Sequence, residues 1–360
     1  MQQTQVFSRV KVPAVPAESA TTVLPTGAPP TFTPAPAARP PGPPRRPGRL
    51  LRILALVLAV LVGYAVLLAA VGLVGLDRVE AAPAGDRPAG GPGSTWLLVG
   101  SDSREGLSEQ EQATLSTGST DTRLTDTILL LTTAPGGVPT LVSIPRDSLV
   151  SIPGYGENKV NAAYALGGPA LLVQTVEQAT GVRVDGYVEI GFDGFYQVVQ
   201  AVGGVDLCLP APITDERAGI NLPAGCQTLA GADALGYVRA RYSDPNGDLG
   251  RVERQRAFLS ALADRATSPA VLLNPFRAVP LAAAAGQALT VDTATGPIDL
   301  ARFALALRAA TGESGQMLTV PFGGYATTDA GSVVLWDPGP TQALWSAIRD
   351  GAPIPAELVE

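Results

Sequence analysis

The chain has 360 residues, of which 46% are hydrophobic and only 16% charged, and its formal net charge is −7. There is ample material for a core, and the acidic balance excludes nucleic acid as a partner, because binding a phosphate backbone needs a basic surface. Histidine is absent, which removes the commonest general base, the Ser-His-Asp arrangement and most transition-metal sites.

Residues 1–49 are rich in Pro, Ala and Thr, with the pairs Pro29-Pro30, Pro40-Pro41 and Pro43-Pro44, and read as an extended, disordered tail. Arg45, Arg46, Arg49 and Arg52 then cluster, and no charged residue occurs from Ile53 to Leu76. As a helix that stretch spans roughly 36 Å, enough to cross a bilayer. We read residues 50–76 as a single transmembrane helix. The preceding arginines place the N-terminus in the cytoplasm and everything after the helix outside. A cleaved signal peptide is the rival reading, since Ala81-Ala82-Pro83-Ala84 offers small residues. The apolar stretch is longer than a signal core and begins far from Met1, which favours the anchor. Residues 77–94 read as a Pro/Gly linker, and residues 95–360 as one extracytoplasmic domain, without repeats or a composition break.

Within that domain Trp96 to Gly100 is a buried-strand candidate, and Thr127–Thr132 and Thr140–Ile144 flank Ala134-Pro135-Gly136-Gly137 as a hairpin. Pro169 to Thr180 predicts a helix closed by Gly181, Val184 to Ile190 a strand, and Asp193 the cap of a helix ending at Gly203-Gly204. Val205–Leu209 and Leu235–Tyr242 read as further strands and Leu249–Ala266 as a helix. Strands interleaved with helices, one hairpin included, predict an α/β fold: a three-layer α-β-α domain with a mixed central sheet. The two cysteines, Cys208 and Cys226, fall in the compartment that permits disulfides. A bridge between them is the expectation, with two buried thiols the alternative.

Chemistry has to be sought among carboxylates, arginines and hydroxyls. On a strand Arg239 and Arg241 share a face, and two adjacent guanidiniums call for an anion between them. A solvated surface strand is the plainer alternative. Asp248 stands where a helix N-cap belongs, with Arg251 in the first turn and Gln255 one turn further on the same face. A helix start that already favours anions, carrying an arginine, suits a bound phosphate. Asp102 follows the first strand and Asp126 opens the next, so the two carboxylates could share a Mg²⁺, although an Asp beside Gly or Ser is more often a turn former. Arg146 follows the hairpin's second strand, and Lys159 is a surface lysine on its plainest reading. Arginines and carboxylates without histidine suit pyrophosphate chemistry: cationic clamps, a divalent ion, and a carboxylate to receive a hydroxyl proton.

These segments form an ordered set: G-S-D-S-R at Gly100–Arg104, T-D-T at Thr125–Thr127, S-I-P-R-D at Ser143–Asp147 and K-V-N-A-A-Y at Lys159–Tyr164. Gly167-Gly168, R-A-R-Y at Arg239–Tyr242 and D-L-G-R-V-E-R-Q at Asp248–Gln255 complete it. Together, behind an N-terminal anchor, they closely resemble the LytR-CpsA-Psr family of bacterial cell-envelope proteins, and the alanine- and arginine-rich composition resembles an actinobacterial member. The resemblance implies transfer of a glycopolymer from a polyprenyl-pyrophosphate carrier to peptidoglycan, by a phosphodiester at a muramic acid 6-hydroxyl. It implies that Asp102 and Asp126 hold Mg²⁺ (or Mn²⁺) and that Arg146, Arg239, Arg241 and Arg251 hold the pyrophosphate with Gln255 beside it. Lys159 and Asp248 match further motif positions. The family's arginine two residues before the T-D-T aspartate is Leu124 here, and Arg123, one residue earlier, is a candidate substrate-binding residue in its place. The lipid tail is expected in an apolar tunnel, for which Leu171–Val173 and Val198-Val199 are candidates. A polyprenyl-pyrophosphate phosphatase and an inactive lipid-binding scaffold are the alternatives. Which polymer is carried, whether arabinogalactan, teichoic acid or capsule, is not written in these motifs.

Overall fold

The computed structural model describes residues 48–101, 125–240, 248–312 and 314–359, without the side chains of residues 248–253. Helix α1 (Arg49–Val74) is long and apolar enough to cross a membrane, and no residue on it is buried. Only Gly75 and Leu76 separate it from strand β1 (Asp77–Val79). The remaining strands are β2 (Ser94–Ser101), β3 (Thr125–Thr133), β4 (Thr140–Ile144), β5 (Leu149–Ile152), β6 (Gly156–Lys159), β7 (Gly186–Ile190), β8 (Val205–Leu209), β9 (Ile213–Asp215), β10 (Ile220–Leu222), β11 (Gly225–Leu229), β12 (Leu289–Asp292), β13 (Gln316–Thr319), β14 (Phe322–Thr328) and β15 (Gly331–Trp336). The remaining helices are α2 (Val160–Thr180), α3 (Phe192–Val202), α4 (Gly231–Arg239), α5 (Asp248–Ala266), α6 (Pro269–Leu272), α7 (Pro275–Ala288), α8 (Pro297–Thr311) and α9 (Pro338–Asp350).

Seven strands form the central sheet in the order β1-β12-β7-β2-β3-β4-β13. Its pairings are mixed: β2 runs parallel to β7 and antiparallel to β3, and β4 pairs antiparallel with β3 and parallel with β13. Alternate residues of each strand serve opposite faces. Leu97, Val99, Ile128, Leu130 and Val142 pack with Leu172, Val173 and Val176 of α2 and with Leu344 and Trp345 of α9. Trp96, Leu98, Leu129, Leu131 and Val188 pack on the other face with Phe303 of α8. The domain is therefore the expected three-layer α-β-α sandwich with a mixed sheet. A third cluster joins α3, α4, α5 and the β8–β11 hairpins around Phe258, Val199 and Leu229.

Several local expectations change. The 77–94 segment is no free linker: β1 pairs with β12 at the sheet edge, and Arg87 donates bidentately to buried Glu177. Asp193 lies inside the first turn of α3, whose N-cap is Gly191, where its charge complements the helix dipole. Of the expected strand Leu235–Tyr242, the described residues up to Ala240 form no strand. Residues 231–239 are helix α4, with Ala234, Leu235 and Tyr237 buried on its inner side, a helical rather than alternating pattern. Arg239 ends this helix and so has no strand face to share with Arg241. Gly167 and Gly168 break α2 just before Pro169, and Gly168 takes φ 67°, ψ −160°, a conformation open only to glycine. Cys208 and Cys226 face each other across β8 and β11 and form the expected disulfide.

Candidate active site

Gly100 lies opposite Thr127 in β3 and Ile190 in β7, so the ends of three strands meet at one edge of the sheet. A β-carbon at Gly100 would stand 3.0 Å from that of Thr127, which keeps this spot bare. Over it opens a cavity of about 470 Å³. Its floor is Leu98, Leu129 and Val188; its walls are Phe195 and Val198 of α3, Phe258, Leu259 and Leu262 of α5, and Phe303 and Leu307 of α8. Gln255, Phe258, Leu259 and Leu262 fall at helical spacing, so one stripe of α5 runs from a polar head into an apolar wall. Asp126, Arg239, Gln255, Asp215 and Arg217 supply the charged and polar part of the lining. Of the proposed tunnel residues, Val198 lines the cavity, while Leu172, Val173 and Val199 belong to the cores.

Asp126 accepts an ion-paired hydrogen bond from Arg146 Nη1. Arg146 Nε donates to Asp147 Oδ2 at 3.3 Å, and Lys159 Nζ stands 3.0 Å from Asp147 Oδ1. The four charges alternate in sign along a half-buried row. Burial opposes the Arg146 charge, but Asp126 and Asp147 outweigh it and raise its pKa. Burial likewise pushes Asp147 up, and the hydrogen bond from Lys159 together with Arg146 more than offsets it, holding the carboxyl below its ordinary value. The backbone of this loop is fixed from three sides. Val160 and Asn161, the first residues of α2, donate their free amides to Ser148 and Arg146 carbonyls. Val334 donates to the Asp147 carbonyl, and the Trp336 indole to Ser148 Oγ at 2.9 Å.

Arg239 lies over the Phe192 ring, 5.3 Å from its centroid. Helix α5 ties down the end of α4 around it: Gln255 Nε2 donates to the Val238 carbonyl at 3.2 Å and Arg254 Nη2 to that of Ala240 at 2.6 Å. Asp248 opens α5 and Arg251 follows in its first turn, one turn before Gln255. Asp102, Arg123 and Arg241 lie outside the described residues, as do the side chains of Asp248 and Arg251. The structure thus joins Asp126, Arg146 and Lys159 in one network, and Asp126, Arg239 and Gln255 around one cavity.

Three contributors escaped the sequence reading. Asp147 bridges Arg146 and Lys159, and its place inside S-I-P-R-D was the available signal. Asp215 accepts from the amides of Arg217 and Ala218 at 3.0 Å each and so turns Arg217 toward the cavity; an Asp-x-Arg turn carries no periodicity to flag it. Arg254 is buried, and nothing in the run Arg251-Val252-Glu253-Arg254-Gln255-Arg256 sets it apart from its charged neighbours.

Among the described residues no three His, Cys, Asp or Glu side chains cluster as a metal site. Ser101 lines the same cavity as Asp126, and its hydroxyl is buried without a hydrogen-bond partner. Such oxygens suit a hard dication, so the residues present fit Mg²⁺ or Mn²⁺.

An alternating charged row beside an apolar cavity, at the carboxyl edge of a mixed α/β sheet, describes an enzyme-like site for an amphiphilic anion. The chain belongs to the LytR_cpsA_psr family, whose model matches residues 88–339. It is 49% identical over 275 residues to the probable cell wall biosynthesis protein LcpB of Corynebacterium glutamicum, covering 76% of this chain and 65% of that protein. It is 37% identical over 179 residues to the polyisoprenyl-teichoic acid–peptidoglycan teichoic acid transferase TagU of Oceanobacillus iheyensis, covering 48% of this chain and 51% of that one. The chain therefore spans less than two thirds of the length of either relative. The LytR-Csp2A-Psr enzyme from Actinomyces oris shares the fold, with a TM-score of 0.60 at 22% identity over 76% of this chain and 96% of that structure.

Proposed function

We propose that this chain is a phosphotransferase that moves a glycopolymer from a polyisoprenyl-pyrophosphate carrier to peptidoglycan. The observation that carries the reading is the continuity of charged rim and apolar cavity: a lipid-linked pyrophosphate has the same two parts in the same order. Membership of the family and similarity to a teichoic acid transferase support it.

The lipid tail occupies the cavity between α3, α5 and α8. Arg239, joined by Arg241 and Arg251, binds the pyrophosphate oxygens; guanidinium forks suit this role because each engages two oxygens at once. Gln255 holds the end of α4, and Arg217, on the turn packed against α4, adds charge to the lining. An acceptor hydroxyl attacks the phosphorus that carries the glycan. The new bond joins that oxygen to phosphorus, the phosphoanhydride breaks, and the lipid leaves as its monophosphate. The hydroxyl proton passes to a carboxylate of the site. Arg146, Asp147 and Lys159 position Asp126, the half-exposed carboxylate on the cavity rim, and balance its charge. A Mg²⁺ or Mn²⁺ ion, when bound, would neutralise phosphate oxygens, held by Asp102 and Asp126 with Ser101 as a further oxygen donor.

The test is incubation of the full chain with a polyprenyl-pyrophosphate oligosaccharide and peptidoglycan fragments. The expected product is a phosphodiester-linked glycan. Release of free glycan phosphate alone, with water as acceptor, would replace transfer by hydrolysis. The arginines from Arg45 to Arg52 support an N-in anchor with the remainder outside. A reporter active only in the cytoplasm should stay silent when fused after Glu360, and a strong signal would reverse that topology.

A further inference from the structure

Helix α1 is exposed along its first half, but one stripe further on is covered: Tyr64, Leu68, Val71, Gly72 and Gly75 are half-buried at helical spacing. The cover is α6 and α7. Tyr64 donates its hydroxyl to the Leu272 carbonyl at 3.1 Å. A β-carbon on Gly286 would stand 2.1 Å from the Gly72 carbonyl, so glycine alone permits the two backbones to meet there.

The corner between α6 and α7 is unusual for a water-facing surface. Leu272 is 41%, Leu273 71% and Phe276 89% exposed. From residue 268 to 288 the only charge is Arg277, and the Asn274 side chain caps the Phe276 amide. Tyr64 lies roughly 15 Å along α1 from Val74, while a hydrocarbon core is about 30 Å thick. A corner bonded at that level lies beside the outer half of the helix. At that depth Phe276 and Leu273 enter the acyl region, and Arg277 extends its apolar stem toward the interface. The same helix α7 turns Ala285 to the cavity and Gly286 to α1.

We propose that the Leu272–Phe276 corner is seated in the outer leaflet of the bilayer beside α1, and that α7 is the wall along which a lipid tail passes from the bilayer into the cavity. This rests on the readings of α1 as a membrane-spanning helix and of the donor as lipid-linked. The corner is then a docking surface for lipid rather than for another protein, because its length of apolar surface follows the anchor.

The full chain in nanodiscs with lipids brominated on the acyl chains tests the seating without any catalysis. The F276W variant should show blue-shifted emission quenched severalfold more than wild type, whereas Y325W, on the β14–β15 hairpin, should gain no quenching. Quenching of F276W no greater than that of Y325W, including a blue-shifted but unquenched emission from a protein contact, overturns the seating. The hand-over is tested by L273D/F276D. It should raise KM for a long-chain donor in nanodiscs about tenfold or more, from the lost burial of two apolar side chains, and leave turnover of a short-chain soluble donor unchanged. Equal KM for both donors in variant and wild type overturns the hand-over. A wild-type chain whose F276W form is quenched but which transfers no glycan retains the seating and loses the proposed function instead.

Discussion

Lys159 Nζ lies 3.0 Å from Asp147 Oδ1, although the two residues stand at opposite ends of the β5–β6 hairpin. The hairpin returns the chain to its own start and completes the charged row that begins at Asp126. Because Asp147 is depressed below its ordinary 3.8, its stabilisation is full above that pH and is lost as pH falls through the folded value. Lys159→Met should therefore lower stability at neutral pH by about 1 kcal/mol, the scale of a partly exposed pair, and shrink the loss on acidification. Urea unfolding at several pH values checks this; identical acid profiles would leave the pair without energetic weight.

Arg239→Ala and Arg241→Ala should each reduce glycan transfer on the order of 100-fold with unchanged melting, the usual result of removing one preorganised donor from a developing anion. Arg239→Lys should recover little, since an ammonium lacks the planar fork. The measurement is transfer rate beside thermal melting. Unfolding of Arg239→Ala would show that its contact with Phe192 is structural.

Asp126→Asn should cost activity and also raise the Mg²⁺ concentration needed for half-maximal transfer, because an amide is a poorer ligand for a hard dication. Ser101→Ala should produce the same shift in metal dependence more weakly. A metal titration of each variant decides; loss of activity at unchanged metal dependence would assign Asp126 to proton transfer or to holding Arg146.

Reduction of the Cys208–Cys226 bridge, or Cys208→Ser with Cys226→Ser, should cost about 3 kcal/mol by the chain-entropy estimate for a short loop. The effect should centre on the β8–β11 hairpin and the third core cluster. Intact-mass analysis without reductant and denaturant melts would test it, two freely alkylated thiols being the contrary result.

The central sheet was legible because Trp96–Val99 and Ile128–Leu131 are uninterrupted apolar runs, and Leu141–Ile144 is broken only by Ser143, between clear turn residues. Asp126, Arg146 and Lys159 were legible through short motifs. Helix α4 was not, since Tyr237-Val238 has strand propensity and only the packing of Ala234 and Tyr237 in the third core, and of Leu235 against Phe192, Phe195 and Tyr196 of α3, decides for a helix. Strand β1 carries Asp77-Arg78 and no apolar run; it exists because β12 offers an open edge. Arg217 and Arg254 act through tertiary placement, which no local pattern encodes.

The two-residue junction between α1 and β1 has a mechanical meaning. Gly75 and Leu76 leave no slack, and β1 is locked into the sheet through β12. On the topology and function proposed above, a domain joined this way would work at a fixed height above the bilayer. A lipid-linked donor would always be within reach, whereas a glycan acceptor would have to be brought down to it. Such geometry would select for strands lying near the membrane over those deep in the mature wall.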